Sequence, residues 1–260
     1  MRACGTRPDR RSRTVACCLL ALAVWALLSG CGSTNPYPNG SFDRGVFFRE
    51  RGNHLQAVHE LETFVRQNPT DSLAAQAQYF KALSYLELKE YPLAIVELQI
   101  LRKDYPTSDL IADSYFQEGV AYFQQVGRVE RDISGVYQAR ERFDQYLLTY
   151  PDAPHAAEAL DYMLKISDII VQKQLNAAEV YRHIGQLDAV TMVLENVLKQ
   201  EPSSRMTDQV LFRLGKNYEK LREPKKATEV YQRLLTDFPD SHLSRQAKRG
   251  LDRVNKRREP

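Results

Sequence analysis

Cysteine is scarce in this 260-residue chain, and its few cysteines are concentrated near the start. Cys4, Cys17 and Cys18 lie within the first 30 residues, and the fourth cysteine is Cys31. Residues 1–30 have the character of a cleaved leader, so the mature chain keeps Cys31 alone. A single cysteine excludes an intrachain disulfide, and the fold must therefore be held together by packing.

The chain also lacks a hydrophobic run long enough to span a bilayer. Its apolar run, Val15 to Leu28, has 14 residues, whereas a transmembrane helix needs about 20. Five arginines precede this run, as in a secretory leader. We therefore predict that residues 1–30 are a signal peptide and that residues 31–41 form a flexible tether.

The end of the leader, Leu28-Ser29-Gly30-Cys31, resembles the cleavage box of bacterial lipoproteins. The resemblance implies that Cys31 becomes the first residue of the mature protein and carries a diacylglycerol and an N-acyl chain. Two or more acyl chains hold a protein firmly on a membrane. By resemblance to enterobacterial lipoproteins, Gly32 in place of an aspartate implies sorting to the outer membrane. An ordinary secretory signal with an incidental cysteine is the alternative.

A net basic charge is lacking once the leader is removed. The full chain carries +3, but the loss of five arginines and Asp9 leaves about −1. Nucleic-acid binding depends on a net basic surface. We therefore predict no nucleic-acid partner.

Motifs for catalysis or metal binding are missing as well. The five histidines are scattered without a pair four residues apart, and no glycine-rich phosphate loop occurs. Neither Ser-x-x-Lys nor Gly-x-Ser-x-Gly occurs in a strand–turn–helix context. We predict that the chain is not an enzyme, holds no metal and has no cofactor beyond the acyl chains on Cys31.

What the chain does contain is a repeat punctuated by proline. A proline ends each of five helical patterns: Pro69, Pro106, Pro151, Pro202 and Pro239. The last unit reads Leu211-x-x-Leu214-Gly215-x-x-Tyr218, then Ala227-x-x-x-Tyr231-x-x-Leu234, and it matches the tetratricopeptide signature. The same offsets recur before the other prolines. A Gly or Ala on the first helix of each pair lets the second helix approach closely, beside a large residue of that second helix.

The predicted fold is all-α, a tetratricopeptide-repeat superhelix of five helix pairs with one extra helix and a C-terminal capping helix. The extra helix is predicted over 154–172 and the capping helix over 241–258, and a wide loop around Gly127 to Gly135 separates the helices of the third unit. Each pair cannot bury its apolar face alone, so the stack itself is the core. We divide it into units 1–3 at 42–151 and units 4–5 with the capping helix at 152–260.

First-helix positions that face the concave side of such a stack form the candidate partner surface. In units 1–3 they are largely apolar and predict a groove for an extended peptide, lined by Phe42, Val46, Tyr79, Leu83, Phe116, Val120 and Phe123. The alternative is that Phe42, Tyr79 and Phe116 pack against the next repeat or under a loop. The matching positions of units 4 and 5 are mostly charged, which predicts a different client: Leu175, Glu179, Arg182, Phe212, Lys216 and Glu219.

The predicted capping helix has a basic face that includes Arg245, Arg249 and Arg253. One interpretation is that this face meets an acidic partner or anionic headgroups. The other is that it is only a solvated face.

The cleavage box, the five units and the placement of the insertions are together similar to the BamD (ComL-like) family of outer-membrane assembly lipoproteins. Two stretches carry the resemblance in detail: Ala139-x-x-x-Phe143-x-x-Tyr146-x-x-x-Tyr150-Pro151 and Ala177-Ala178-x-x-Tyr181-x-x-x-Gly185. The resemblance implies a lipid-anchored scaffold on the periplasmic face of the outer membrane. It also implies partners: BamA periplasmic domains at the carboxy-terminal units, other assembly lipoproteins, and unfolded β-barrel proteins at the amino-terminal units.

Two other classes share the anchor and a helical stack. A tetratricopeptide lipoprotein that coordinates peptidoglycan synthesis is expected to carry a coiled-coil trimerisation segment, which this sequence lacks. A pilotin that escorts a secretin to the outer membrane is only mildly disfavoured by the repeat count. Both remain open at this point.

Overall fold

A computed structural model describes residues 35–126 and 132–256, and within these ranges all regular elements are α-helices. In chain order they are α1 (Phe42–Glu50), α2 (His54–Gln67), α3 (Ala74–Glu87), α4 (Tyr91–Asp104), α5 (Ile111–Gln124), α6 (Ser134–Thr149), α7 (Ala156–His183), α8 (Leu187–Gln200), α9 (Thr207–Leu221), α10 (Pro224–Asp237) and α11 (Ser244–Lys256).

Each helix packs mainly on the helices before and after it, and the five predicted pairs are α1 with α2, α3 with α4, α5 with α6, α7 with α8, and α9 with α10. The last helix, α11, packs on α10. The chain from Gly40 onward forms one compact unit, and the described residues 35–39 belong to a separate one. The all-α helix-pair fold predicted from the repeats is thereby confirmed.

The repeat prolines end the second helix of every pair in the same way. Each of these five helices ends two residues before its proline, and the residue in between has φ from −125° to −133° and ψ from 56° to 59°. A proline ring clashes with a helical conformation of the residue before it. The periodic prolines therefore give a local reason for these helix ends.

Small residues on the first helices let the paired helices touch, as predicted. A Cβ added at Gly119 would lie 2.8 Å from the ring of Phe143, and one added at Gly215 would lie 2.6 Å from the ring of Tyr231. Gly45 faces Leu61 equally closely, at 2.5 Å. In all three pairs the large residue sits four positions after the alanine of the second helix, so this spacing reflects a steric fit.

The predicted extra helix over 154–172 is not a separate element, and this part of the prediction is corrected. It is continuous with the first helix of unit 4, and together they form α7, a helix of 28 residues. No Gly or Pro occurs between Ala156 and His183, so no residue in this segment ends a helix. The first half of α7 contributes Ile166 to the core of unit 3, and the second half contributes Leu175 to the core of units 4 and 5.

The loop predicted around Gly127 to Gly135 ends earlier in the chain than expected. α6 begins at Ser134, so Gly135 lies within the first turn of this helix. A Cβ at Gly135 would lie 3.0 Å from the backbone oxygen of Tyr122, which explains a glycine there. Residues 127–131 of this loop lie outside the described residues.

Charged side chains are buried between successive units, a feature that the sequence patterns did not predict. The side chain of Glu118 on α5 is fully buried and forms an ion pair with Arg102 of the preceding unit. Glu201, also buried, accepts two hydrogen bonds of 2.8 Å from the guanidinium of Arg140. A buried carboxylate is tolerated only when it is paired and hydrogen-bonded. These pairs therefore bind specific neighbouring units to each other.

Candidate partner-binding surfaces

Phe42, the first residue of the predicted peptide groove, lies partly buried within the stack. Its ring centroid is 5.9 Å from that of Phe64 on α2 and 5.9 Å from that of Phe80 on α3. Aromatic pairs at this separation contribute packing energy. Phe42 therefore joins unit 1 to unit 2.

Tyr79 and Phe116 are buried, with exposed fractions of 7% and 2%. The ring of Phe116 stacks on the imidazole of His155, with centroids 4.4 Å apart, and it also contacts Phe143. Burial raises the pKa of Tyr79 to about 12, and the nearby Asp113 carboxylate adds to this shift. Of the two interpretations of these aromatics, the structure shows internal packing, because neighbouring helices and the turn before α7 cover the rings.

The other four predicted groove residues, Val46, Leu83, Val120 and Phe123, remain partly exposed on α1, α3 and α5. Leu83 and Val120 also pack against buried clusters of their own units. The ring of Phe123 meets Tyr162 edge-on, with centroids 5.2 Å apart. Peptide binding at these four positions stays a prediction.

The carboxy-terminal units contain an open groove with a volume of about 610 Å³. It lies between α7, α8, α9 and the turn that precedes α11. Four of the predicted first-helix positions meet there: Glu179, Arg182, Phe212 and Lys216. The spacing rule that identified them is geometric, since residues three and four apart share one face of a helix. The groove will be called the C-terminal groove.

Two other predicted positions of these units lie elsewhere. Leu175 is fully buried in the core. Glu219 accepts a hydrogen bond of 2.6 Å from the hydroxyl of Tyr231 and one of 3.0 Å from Arg253. Its carboxylate is therefore occupied within the fold.

Sequence reasoning missed several lining residues of the C-terminal groove, notably Arg213, Lys220 and His242. Arg213 and Lys220 lie on the same face of α9 as Lys216, so helical spacing was a signal available for both. His242 comes from the turn between α10 and α11, and no sequence pattern places that turn beside α9.

The groove contains one carboxylate among several cations. Glu179 accepts hydrogen bonds of 2.8 and 2.5 Å from the guanidinium of Arg182, and Arg213 lies 4.0 Å away. The hydrogen bond from Arg182 is the main cause that lowers the pKa of Glu179 to about 2. Lys216 and Lys220 are exposed and form no ion pair with any described residue. The rim therefore carries an excess of positive charge.

The predicted basic face of the last helix divides into two parts. Arg245 and Arg249 are exposed and, with His242, border a depression of about 510 Å³. Arg253 instead donates to Glu219 and so fastens α11 to α9. Partner binding by the three arginines stays a prediction.

The described ranges contain no group of three or more His, Cys, Asp and Glu side chains arranged to hold a metal ion. Within those same ranges, no helix is both long enough and apolar enough to cross a bilayer. Cys31, the predicted lipidation site, lies outside the described residues.

The helices stack in pairs, and a glycine of the first helix contacts a large residue of the second. A groove lies between successive first helices. These features define a helical-repeat protein of the tetratricopeptide type. Residues 35–233 match the model of the YfiO family, described as an outer membrane lipoprotein, and the chain belongs to that family. The matched residues end within α10, so the turn at His242 and the helix α11 lie beyond them.

Curated relatives are similar over most of their length. The chain is 23% identical to the outer membrane protein assembly factor BamD of Neisseria meningitidis serogroup B over 210 residues, covering 77% of this chain and 79% of the relative. It is 20% identical to the BamD of Rickettsia prowazekii, covering 85% and 90%. The resemblance to the BamD family that the sequence predicted is confirmed.

Solved structures similar to the chain include a thermophilic tetratricopeptide protein of Thermus thermophilus, with 20% identity and a TM-score of 0.34 over 80% of this chain and 95% of that one. YrrB, a tetratricopeptide protein with an unusual peptide-binding site, has 14% identity and a TM-score of 0.32 over 80% and 89%. The helix-pair fold rests on the helices described above and not on these two similarities.

Proposed function

We propose that this chain is a non-catalytic scaffold subunit of the machinery that assembles β-barrel proteins in the outer membrane. The family match over residues 35–233, with curated relatives named outer membrane protein assembly factors, carries the proposal. The scaffold role is supported by a fold whose accessible features are grooves and charged helix faces, which suit protein partners.

In this proposal Cys31 bears the diacylglycerol and N-acyl chain that hold the protein on the periplasmic face of the outer membrane. Residues 32–39 link the anchor to the compact unit that begins at Gly40. The stack binds the periplasmic domains of BamA and other lipoproteins of the complex, and it receives unfolded β-barrel proteins.

The proposal is tested by purifying the full chain, with its native anchor, from its own outer membrane in a mild detergent. Mass spectrometry is expected to find a BamA-type barrel protein with periplasmic domains as the main partner. A Cys31→Ser variant is the matched control, because it keeps the stack but loses the acyl chains, and it is expected to leave the membrane fraction.

Three results would contradict the proposal. Recovery of a secretin as the main partner would indicate a pilotin, and recovery of cell-wall synthases would indicate a role in peptidoglycan synthesis. Normal levels of outer-membrane barrels after depletion of the chain would also count against an assembly role.

A further inference from the structure

The C-terminal groove combines an apolar floor with a cationic rim. Its floor includes the buried side chains of Ala178, Leu194 and Leu243, and the partly exposed ring of Phe212 lies beside them. The lining residues of α9 run from Gln209 to Lys220, a length of about 16 Å at 1.5 Å per residue. An extended peptide rises about 3.3 Å per residue, so the groove has room for about five residues of another chain.

The rim is positive because its single carboxylate is already engaged. Glu179 is held by Arg182, whereas Lys216 and Lys220 have no carboxylate of a described residue within 4 Å. Lys216 is three residues after Arg213 along α9, and Lys220 is four residues after Lys216. The three cations therefore occupy one face of the helix. The rim therefore lacks anionic groups to match its cations.

One wall of the groove comes from outside the residues that match the family. His242 and Leu243 belong to the turn before α11, and the match ends at residue 233. Leu243 is 9% exposed and belongs to the core that joins α9, α10 and α11. The packing of α11 thus completes a groove that the matched residues alone leave open on that side.

We propose that the C-terminal groove binds an acidic, extended segment of a partner protein. Carboxylate side chains of the segment pair with Lys216 and Lys220, and its apolar side chains contact the partly exposed ring of Phe212. Charge complementarity identifies this occupant: cations lie beside an apolar ring, which suits a chain that carries both acidic and apolar side chains. The inference is independent of the proposed assembly role, since it concerns only what the groove binds.

The test uses the full-length lipidated chain in a non-ionic detergent and a fluorescent peptide, Glu-Asp-Leu-Glu-Asp-Leu, with both ends blocked. Fluorescence anisotropy is expected to show saturable binding that weakens as salt is raised. The double variant Lys216→Gln, Lys220→Gln is expected to weaken binding about tenfold. The control Lys225→Gln, Lys248→Gln removes the same charge from exposed residues outside the groove lining, and it is expected to change binding less than about twofold.

Three outcomes would overturn the inference. In the first, the control variant weakens binding as much as the groove variant, while circular dichroism shows both to be folded. In the second, a Gln-Asn-Leu-Gln-Asn-Leu peptide with a free carboxy terminus binds equally well, so the groove recognises a chain terminus. In the third, vesicles of phosphatidylglycerol bind through Lys216 and Lys220 while the acidic peptide does not.

Discussion

At the scale of single residues, close contact between paired helices depends on a glycine that faces a large side chain. Tyr231 is the clearest case, because its ring is approached by Gly215 on one side and by Gly250 on the other. Its hydroxyl donates to Glu219, and burial raises the pKa of the phenol. The ring therefore has little freedom to move away from an added methyl group.

We expect Gly215→Ala to destabilise the fold. Alanine favours a helix over glycine by about 1 kcal/mol, but the new Cβ would lie 2.6 Å from the Tyr231 ring, and overpacking of a core costs about 1–3 kcal/mol. Urea unfolding should show a net loss. In a Tyr231→Leu background the same substitution should cost less, and equal costs in both backgrounds would contradict the steric explanation.

The aromatic residues show where residue-level reasoning from sequence stops. Phe116 and Phe212 stand at equivalent offsets of units 3 and 5, yet Phe116 is covered by His155 and Phe143, whereas Phe212 lines the C-terminal groove. The repeat offset predicts the helix face correctly. Which neighbour covers that face depends on the following connection, which differs between the units.

At the scale of elements, α7 has the largest consequence for the architecture. It is one helix of 28 residues where two were predicted. Ile166 contributes to the core of unit 3, and Leu175 contributes to the core of units 4 and 5. An uninterrupted helix transmits its orientation along its length, which a loop does not. α7 therefore fixes unit 4 relative to unit 3.

We expect Gln174→Pro to disrupt α7 and to lower stability by about 3 kcal/mol or more, because proline removes a backbone hydrogen bond and clashes with the preceding turn. Far-UV circular dichroism during thermal unfolding measures the effect. Gln174→Ala is the matched control and should unfold like the parent chain. A proline tolerated at residue 174 would show that two separate helices meet there instead.

At the scale of the whole molecule, stability comes from successive packing of each helix on the next. α11 ends this series by covering the last pair: Ala247 is fully buried, and Val254 is 3% exposed. Terminal elements of repeat proteins need one polar face, and the exposed arginines of α11 supply it. Arg245 and Arg249 therefore have a solvating role whether or not they also contact a partner.

We expect Ala247→Asp to destabilise the carboxy-terminal units by about 3 kcal/mol or more, because it places an unpaired charge in the core. In a repeat stack the amino-terminal units should keep more of their stability. Hydrogen exchange measured by mass spectrometry will localise the loss. Gln246→Asp, one residue earlier and exposed, should change stability by less than about 0.5 kcal/mol, and similar effects of both substitutions would refute the capping role.

Much of the fold was predictable because its signals are local. The prolines at 69, 106, 151, 202 and 239 restrict the residue before them, and the glycine-to-large-residue offsets are steric requirements of a helix pair. The burial of Glu118 was not predictable. The sequence of an amphipathic helix does not show whether a glutamate faces water or forms an ion pair with an arginine of the previous unit. In the groove, Lys216 followed from helical spacing and His242 did not.

The sequence by itself determined the helix pairs, the ends of their second helices, the small residues at their contacts and the class of protein to which the chain belongs. Only the tertiary structure decided that α7 is continuous between two cores, that Tyr79 and Phe116 are covered, and that α11 completes the C-terminal groove. The physical reason is the range of the interactions. Helix ends and helix faces depend on residues within a few positions of each other, whereas coverage of a face depends on side chains brought together from distant parts of the chain.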